Sequence, residues 1–95
     1  MSTRKVKQPK FNLGEIVATA HAMATLSGPD MQLALQRHVT GDWGQVGKED
    51  RQANEQALLN GTRLLSIYPS SKGVNFWIIT EADRSATTVL LPEDY

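Results

Sequence analysis

The chain has 95 residues, 40% hydrophobic and 21% charged, and its ten basic and ten acidic side chains cancel. That is the size and composition of one ordinary globular domain. The absence of cysteine excludes disulfide frameworks, zinc ribbons, iron–sulfur clusters and a thiol nucleophile, and no apolar run approaches the ~18 residues of a membrane-spanning helix.

The opening MSTRKVKQPK has no apolar signal core, so a cytoplasmic protein without a membrane partner is expected. Residues 1–10 carry Arg4, Lys5, Lys7 and Lys10 and no acid, while the remaining segment sets six basic residues against its ten acids. With Pro9 and almost no apolar side chains, this stretch reads as a flexible basic arm. It either solubilises the chain or contacts nucleic acid phosphates. Residues 11–95 are expected to form a single α+β domain.

Asn12 is expected to cap a first helix, in which Leu13, Ile16, Val17, Ala20, Met23, Ala24 and Leu26 recur at helical spacing. Ser27-Gly28-Pro29 ends it and opens a second, with Asp30 near its positive end and Thr40-Gly41 as its stop. A third helix begins near Lys48-Glu49-Asp50, stops at Asn60-Gly61 and has too few apolar residues to be central. After Gly61 the pattern changes to short β-branched and aromatic runs, TRLLSIYP, VNFWIIT and ATTVLLP, separated by turn residues. The expected fold is therefore α+β, with N-terminal helices packed on a C-terminal three-stranded antiparallel β-meander. Val74, Phe76 and Ile78 alternate with Asn75, Trp77 and Ile79, so both faces of the middle strand are largely apolar. A second copy packed on the poorly covered face would make a homodimer.

Three constellations can carry chemistry. RHVTGDWG, residues 37–44, places His38 near Asp42, which would orient the imidazole ring. With Glu49 and Asp50 these residues would suit a divalent cation, but no recognised ligand spacing is present and the reading assigns no metal and no cofactor. In the structural alternative Asp42 braces the loop, the glycines allow tight turns and Trp43 fills the core. His21, in an alanine-rich stretch, is read as a packing residue. The second constellation is TEADRSATT, residues 80–88, where Arg84 at a hairpin tip, with Thr87 beside it, would offer donors to an anion. Alternatively Glu81 and Asp83 pair with Arg84 and stiffen the turn. The third joins Arg63 and Arg84 across the sheet, with His38 or Glu49 as proton carrier. The strand-hairpin run from Arg63 onward is similar to that of metal-independent ribonucleases of the barnase type, with Arg84 where that family's catalytic histidine would lie. Arginine cannot serve there as a base at neutral pH.

A broader resemblance spans residues 11–95. The order FNLGEIVAT, RHVTGDWG, GTRLLSIY and WIITEADRSATTVLLPEDY resembles a family of roughly hundred-residue bacterial proteins of plasmids and integrative conjugative elements. These are labelled plasmid-related proteins, and sometimes type I restriction subunit M. A methyltransferase reading conflicts with the short chain and the missing Gly-rich strand-to-helix loop. The resemblance implies a small accessory or regulatory protein of a mobile element, with no reaction attached. The reading is thus a non-enzymatic protein that binds a macromolecule, most simply another protein, through His38, Asp42, Trp43, Glu81, Asp83, Arg84 and Thr87. The alternatives are a ribonuclease-like enzyme using His38, Arg63 and Arg84, and a DNA-binding protein using the arm.

Overall fold

The segment expected to be one long first helix divides in two. In the computed structural model, which describes residues 7–95, Glu15–Ala18 form a strand (β1) and only Ala20–Thr25 form a helix (α1). Gly14 breaks the helical course with φ 66°, and the β-branched pair Ile16-Val17 prefers the extended chain that follows. The helix cap is not Asn12. Thr19 has extended backbone and accepts the Ala22 N–H at 3.0 Å on Oγ1, the geometry of an N-cap.

β1 then corrects the fold class. The sheet is not a three-stranded antiparallel meander but a four-stranded mixed sheet in the order β1-β4-β3-β2. β2 (Leu64–Pro69), β3 (Asn75–Thr80) and β4 (Ala86–Leu90) run antiparallel to one another, and β1 lies parallel to β4 with Glu15 opposite Ala86 and Ala18 opposite Val89. β4 is therefore interior rather than an edge. The parallel pair is closed by main-chain bonds from Glu15 N–H to Ser85 C=O and from Thr19 N–H to Val89 C=O.

Between β1 and β2 lie α1, α2 (Gly28–Val39) and α3 (Lys48–Asn60). Ser27 caps α2, Pro29 occupies its first turn, and Asp30 accepts the Ser71 N–H and hydroxyl, pinning the β2–β3 turn to the helix start. α3 ends on Gly61, whose φ of 68° gives the left-handed C-terminal stop. Ala22, Leu26 and Ala34 from α1 and its sequel pack with Tyr68, Phe76, Ile78, Val89 and Leu91 on one face of the sheet. A second cluster of Trp43, Val46, Ala57 and Leu64 joins α3 to the β2 side.

The outer edge of β2 is sealed twice. The Asn54 amide of α3 donates to Leu65 C=O and accepts Leu65 N–H, at 2.7 and 3.1 Å. Residues 43–45 bridge the same edge in parallel: Gln45 N–H donates to Ile67 C=O and Ile67 N–H to Trp43 C=O. Strand alternation turns Leu65, Ile67, Trp77, Ile79 and Leu90 to the sheet face opposite α1 and α2. The C-terminal turn Pro92–Asp94 contacts β3, and the Tyr95 ring that follows lies 5.5 Å from Trp77 on this face. Among the described residues no helix is long and apolar enough to cross a membrane.

Candidate functional site

His38, on the last turn of α2, has no solvent exposure at all. Its Nδ1 is 2.5 Å from Ser66 Oγ on β2 and its Nε2 is 2.9 Å from Thr80 Oγ1 on β3. Thr80 Oγ1 lies 2.7 Å from Thr87 Oγ1 on β4, and Thr87 donates to Leu13 C=O at 2.7 Å. This last bond fixes the direction of all the others. Thr87 has one proton and gives it to Leu13, so Thr80 donates to Thr87, and His38 Nε2–H donates to Thr80. Nδ1 is then the acceptor of the Ser66 hydroxyl proton. The chain is complete only for a neutral imidazole protonated on Nε2. Burial drives the His38 pKa down to about 3, and the positive charge of Arg84 adds to the effect.

Phe11 sits at the junction of the first two constellations. Its ring meets His38 edge-on at 5.2 Å and stacks on Trp43 at 6.3 Å, while the Arg84 guanidinium carbon lies 5.6 Å from its centroid. The tryptophan loop and the arginine hairpin therefore do converge, but around a hydrophobic ring rather than around a cleft.

Asp42, Trp43, Asp83, Arg84 and Thr87 all bond within the chain. Asp42 does not orient His38. It takes Nε and Nη2 of Arg37 at 2.8 and 3.3 Å, and it accepts the Gly44 N–H. The Arg37 hydrogen bond, with help from Gly44, holds the Asp42 carboxyl below the usual carboxylate range. Arg37 also lies over the Tyr68 ring, and the Tyr68 hydroxyl donates to Asp42 C=O. Buried Trp43 donates Nε1–H to Glu55 on α3 at 2.8 Å. Among the described residues no group of three or more His, Asp or Glu side chains converges as a metal site, so His38, Asp42, Glu49 and Asp50 do not form one.

Arg84, the one non-glycine residue with positive φ among the described residues (61°), does not project from its hairpin. Its Nη1 donates to Thr62 C=O at 2.6 Å and to Glu81 C=O at 3.2 Å, and its Nη2 donates to Ala57 C=O at 3.0 Å. The guanidinium thus sits at the negative end of α3, where it shares Ala57 C=O with the Gly61 and Thr62 N–H groups and ties the helix end to the β3–β4 turn. Neither Glu81 nor Asp83 forms a side-chain ion pair with it; Asp83 accepts the Ser85 N–H. Replacing Arg84 with alanine is expected to lower unfolding free energy by about 2 kcal/mol, the scale for charged hydrogen bonds. Arg84→Lys would recover less than half of it, since an ammonium cannot span these carbonyls. Urea denaturation of the three proteins measures this.

Arg63 stands elsewhere, with Nη1 donating to the Tyr95 hydroxyl at 3.0 Å beside Trp77, while His38 lies on the helix-covered face. The three residues of the ribonuclease constellation thus share no cleft. His21 is not a core residue: it is half exposed and its Nδ1 is 3.0 Å from Asp94 Oδ1. Asp94 also accepts the Thr19 hydroxyl and the Leu91 N–H, and these bonds hold its carboxyl below the usual range. Of the arm, Arg4 and Lys5 lie outside the described residues. Lys7 and Lys10 are exposed, and Lys10 N–H is fixed to Val39 C=O.

Sequence reasoning missed Phe11, Ser66 and Thr80 as partners of His38. Isolated hydroxyls in strands carry no local signal, and only strand register brings them together. Comparison of the chain with protein-family models, curated proteins and solved structures gives no match.

Proposed function

We propose that this protein is a non-enzymatic accessory module that binds another protein on the side of the sheet opposite α1 and α2. One observation carries the reading: His38, Asp42, Trp43 and Arg84 are engaged internally, while an apolar groove of about 270 Å³ stays open at the surface. Arg63, Leu65, Trp77, Ile79 and Tyr95 line it, and Tyr95 is 69% exposed. A buried, neutral imidazole has no access to a phosphodiester, and Arg84 commits three of its N–H donors to main-chain carbonyls. By contrast, tryptophan, tyrosine and arginine around a small apolar pocket are the residue types that anchor protein interfaces. The groove accepts one aliphatic or aromatic side chain, and Arg63 at its rim supplies donors for a carbonyl or carboxylate. The excess of acid over base in residues 11–95 favours a protein over a nucleic acid. The motif resemblance supplies the setting, an accessory role on a mobile element.

A photo-crosslinking residue placed at Leu65 in the native host tests the reading. One defined protein adduct is expected, absent when the crosslinker replaces exposed Leu59 on α3 and lost on Trp77→Ala. Adducts that are insensitive to Trp77→Ala, or nucleic acid in place of protein, would overturn it.

A further inference from the structure

The two edges of the sheet are treated oppositely. At β2, Asn54 and residues 43–45 occupy the outward main-chain groups. At β1, among the described residues, nothing does so. Glu15 and Thr19 direct their N–H groups to β4, so alternation turns the N–H and C=O of Ile16 and Ala18 outward. Of the usual protections of an edge, the strand has only its short length and the terminal Glu15; it carries no lysine and no proline. Ile16 and Val17 are 53% and 41% exposed. Beside Ile16 runs an apolar groove lined by Ala18, Met23, Met31, Leu35 and Val89.

We infer that β1 pairs with β1 of a second copy, antiparallel about a twofold axis through Val17. The sequence of the strand is self-complementary in that register. Ile16 faces Ala18 of the second copy and Ala18 faces its Ile16, so all four outward N–H groups and all four outward C=O groups are paired. Val17 meets its own counterpart as a non-hydrogen-bonded pair. Glu15, the only charge in β1, falls opposite Thr19 rather than opposite another Glu15. Each Ile16 side chain is on the groove face and is carried against Ala18 and the methionines of the other copy. A partner of unrelated sequence would need to match these features; a second copy does so by symmetry.

The twofold axis stands perpendicular to the sheet, because residues directly opposite in an antiparallel pair point to the same side. The result is one eight-stranded sheet with the Trp77 grooves of both copies on the same surface. The contact comprises a short strand and a few apolar side chains per copy, below the ~1,200 Å² of tight complexes, so association in the upper micromolar range is expected. This pairing is independent of what the Trp77 groove binds, and either reading can fail without the other.

The test uses the full chain. Sedimentation equilibrium from low micromolar to near-millimolar concentration should show the mass rising from 10.5 kDa toward twice that value. Because the chain has no cysteine, Val17→Cys introduces a unique thiol. Cα atoms in a non-hydrogen-bonded pair are ~4.5 Å apart, within the ~4.4–6.8 Å range of disulfides. Val17→Cys should oxidise to a covalent dimer at least about tenfold faster than Leu33→Cys on exposed α2, through the higher effective thiol concentration. Ile16→Pro, which removes an outward N–H and no bond to β4, should remain monomeric with its circular dichroism unchanged. A constant monomer mass, or equal oxidation rates for the two cysteine variants, would overturn the proposal. So would a monomer in which the Ile16 and Ala18 amides resist hydrogen exchange, because another segment of the chain would then cover the edge.

Discussion

Replacing His38 with alanine should destabilise the fold by about 4 kcal/mol, a large fraction of the ~5–15 kcal/mol that holds a domain together. Two costs combine. The excised ring leaves a cavity beneath Phe11 and Trp43, and the hydroxyls of Ser66 and Thr80 lose a partner in a site without water access. His38→Gln, which keeps a donor and an acceptor, should cost less than alanine. The native imidazole also predicts a pH dependence. Its folded pKa, about 3, is below the value of ~6.5 in an unfolded chain. Between these two values the unfolded chain binds a proton that the folded chain does not. Stability is therefore complete above pH ~6.5 and is lost on acidification, at about 1.4 kcal/mol per pH unit. Guanidinium denaturation at pH 7.5 and pH 5 should differ by about 2 kcal/mol, with most carboxylates still ionised. In His38→Gln the difference should shrink to a fraction of that. A wild-type protein equally stable at both pH values would mean that His38 is charged in the folded state.

Gly44→Ala should be nearly as damaging, at about 3 kcal/mol. Gly44 has φ 74°, and a Cβ there would lie 2.0 Å from Ile67 O and within 3 Å of the Tyr68 ring. No movement of a flexible side chain relieves a clash with a main-chain carbonyl. The loop would retreat from β2, breaking the bonds between Gln45, Ile67 and Trp43 and loosening the Trp43–Glu55 contact. The left-handed backbone adds its own penalty for alanine, ~1–2 kcal/mol. Calorimetry would show the lower transition temperature, and hydrogen exchange would place the new opening at Ile67. Unchanged protection at Ile67 would show that the bridge does not depend on the missing side chain.

Local chemistry was enough to read α2 and α3 from sequence. Ser27, Pro29 and Asp30 mark one helix start, and Gly61 marks the end of the other; each acts within a turn of its own position. The three C-terminal runs were legible for the same reason, as short β-branched stretches between turns. β1 was not. It has four residues, lies in an alanine-rich stretch with helical spacing, and is held by β4 rather than by anything nearby. Long-range pairing overrode local propensity there, and the error carried into the fold class, since a strand hidden near the start makes β4 interior. The candidate site divides along the same line. The reading of Asp42 as a brace and Trp43 as core depends on the loop itself and agrees with the geometry. The chain from Ser66 through His38 to Thr87 depends on three strands in register, and the destination of Arg84 depends on a helix end 27 positions away.

The parallel pairing of β1 with β4 also sets an order of assembly. Leu13 and Thr87 are 74 positions apart, and Thr19 and Asp94 are 75 apart, so the first strand to leave a ribosome waits for the last. Until then the hydroxyl relay beneath α2 has no terminus. Loop closure over nearly the whole chain is slow compared with hairpin formation. The β2–β3–β4 ribbon would thus form early and β1 would dock late, its apolar residues open to chaperones or to other nascent copies during the delay.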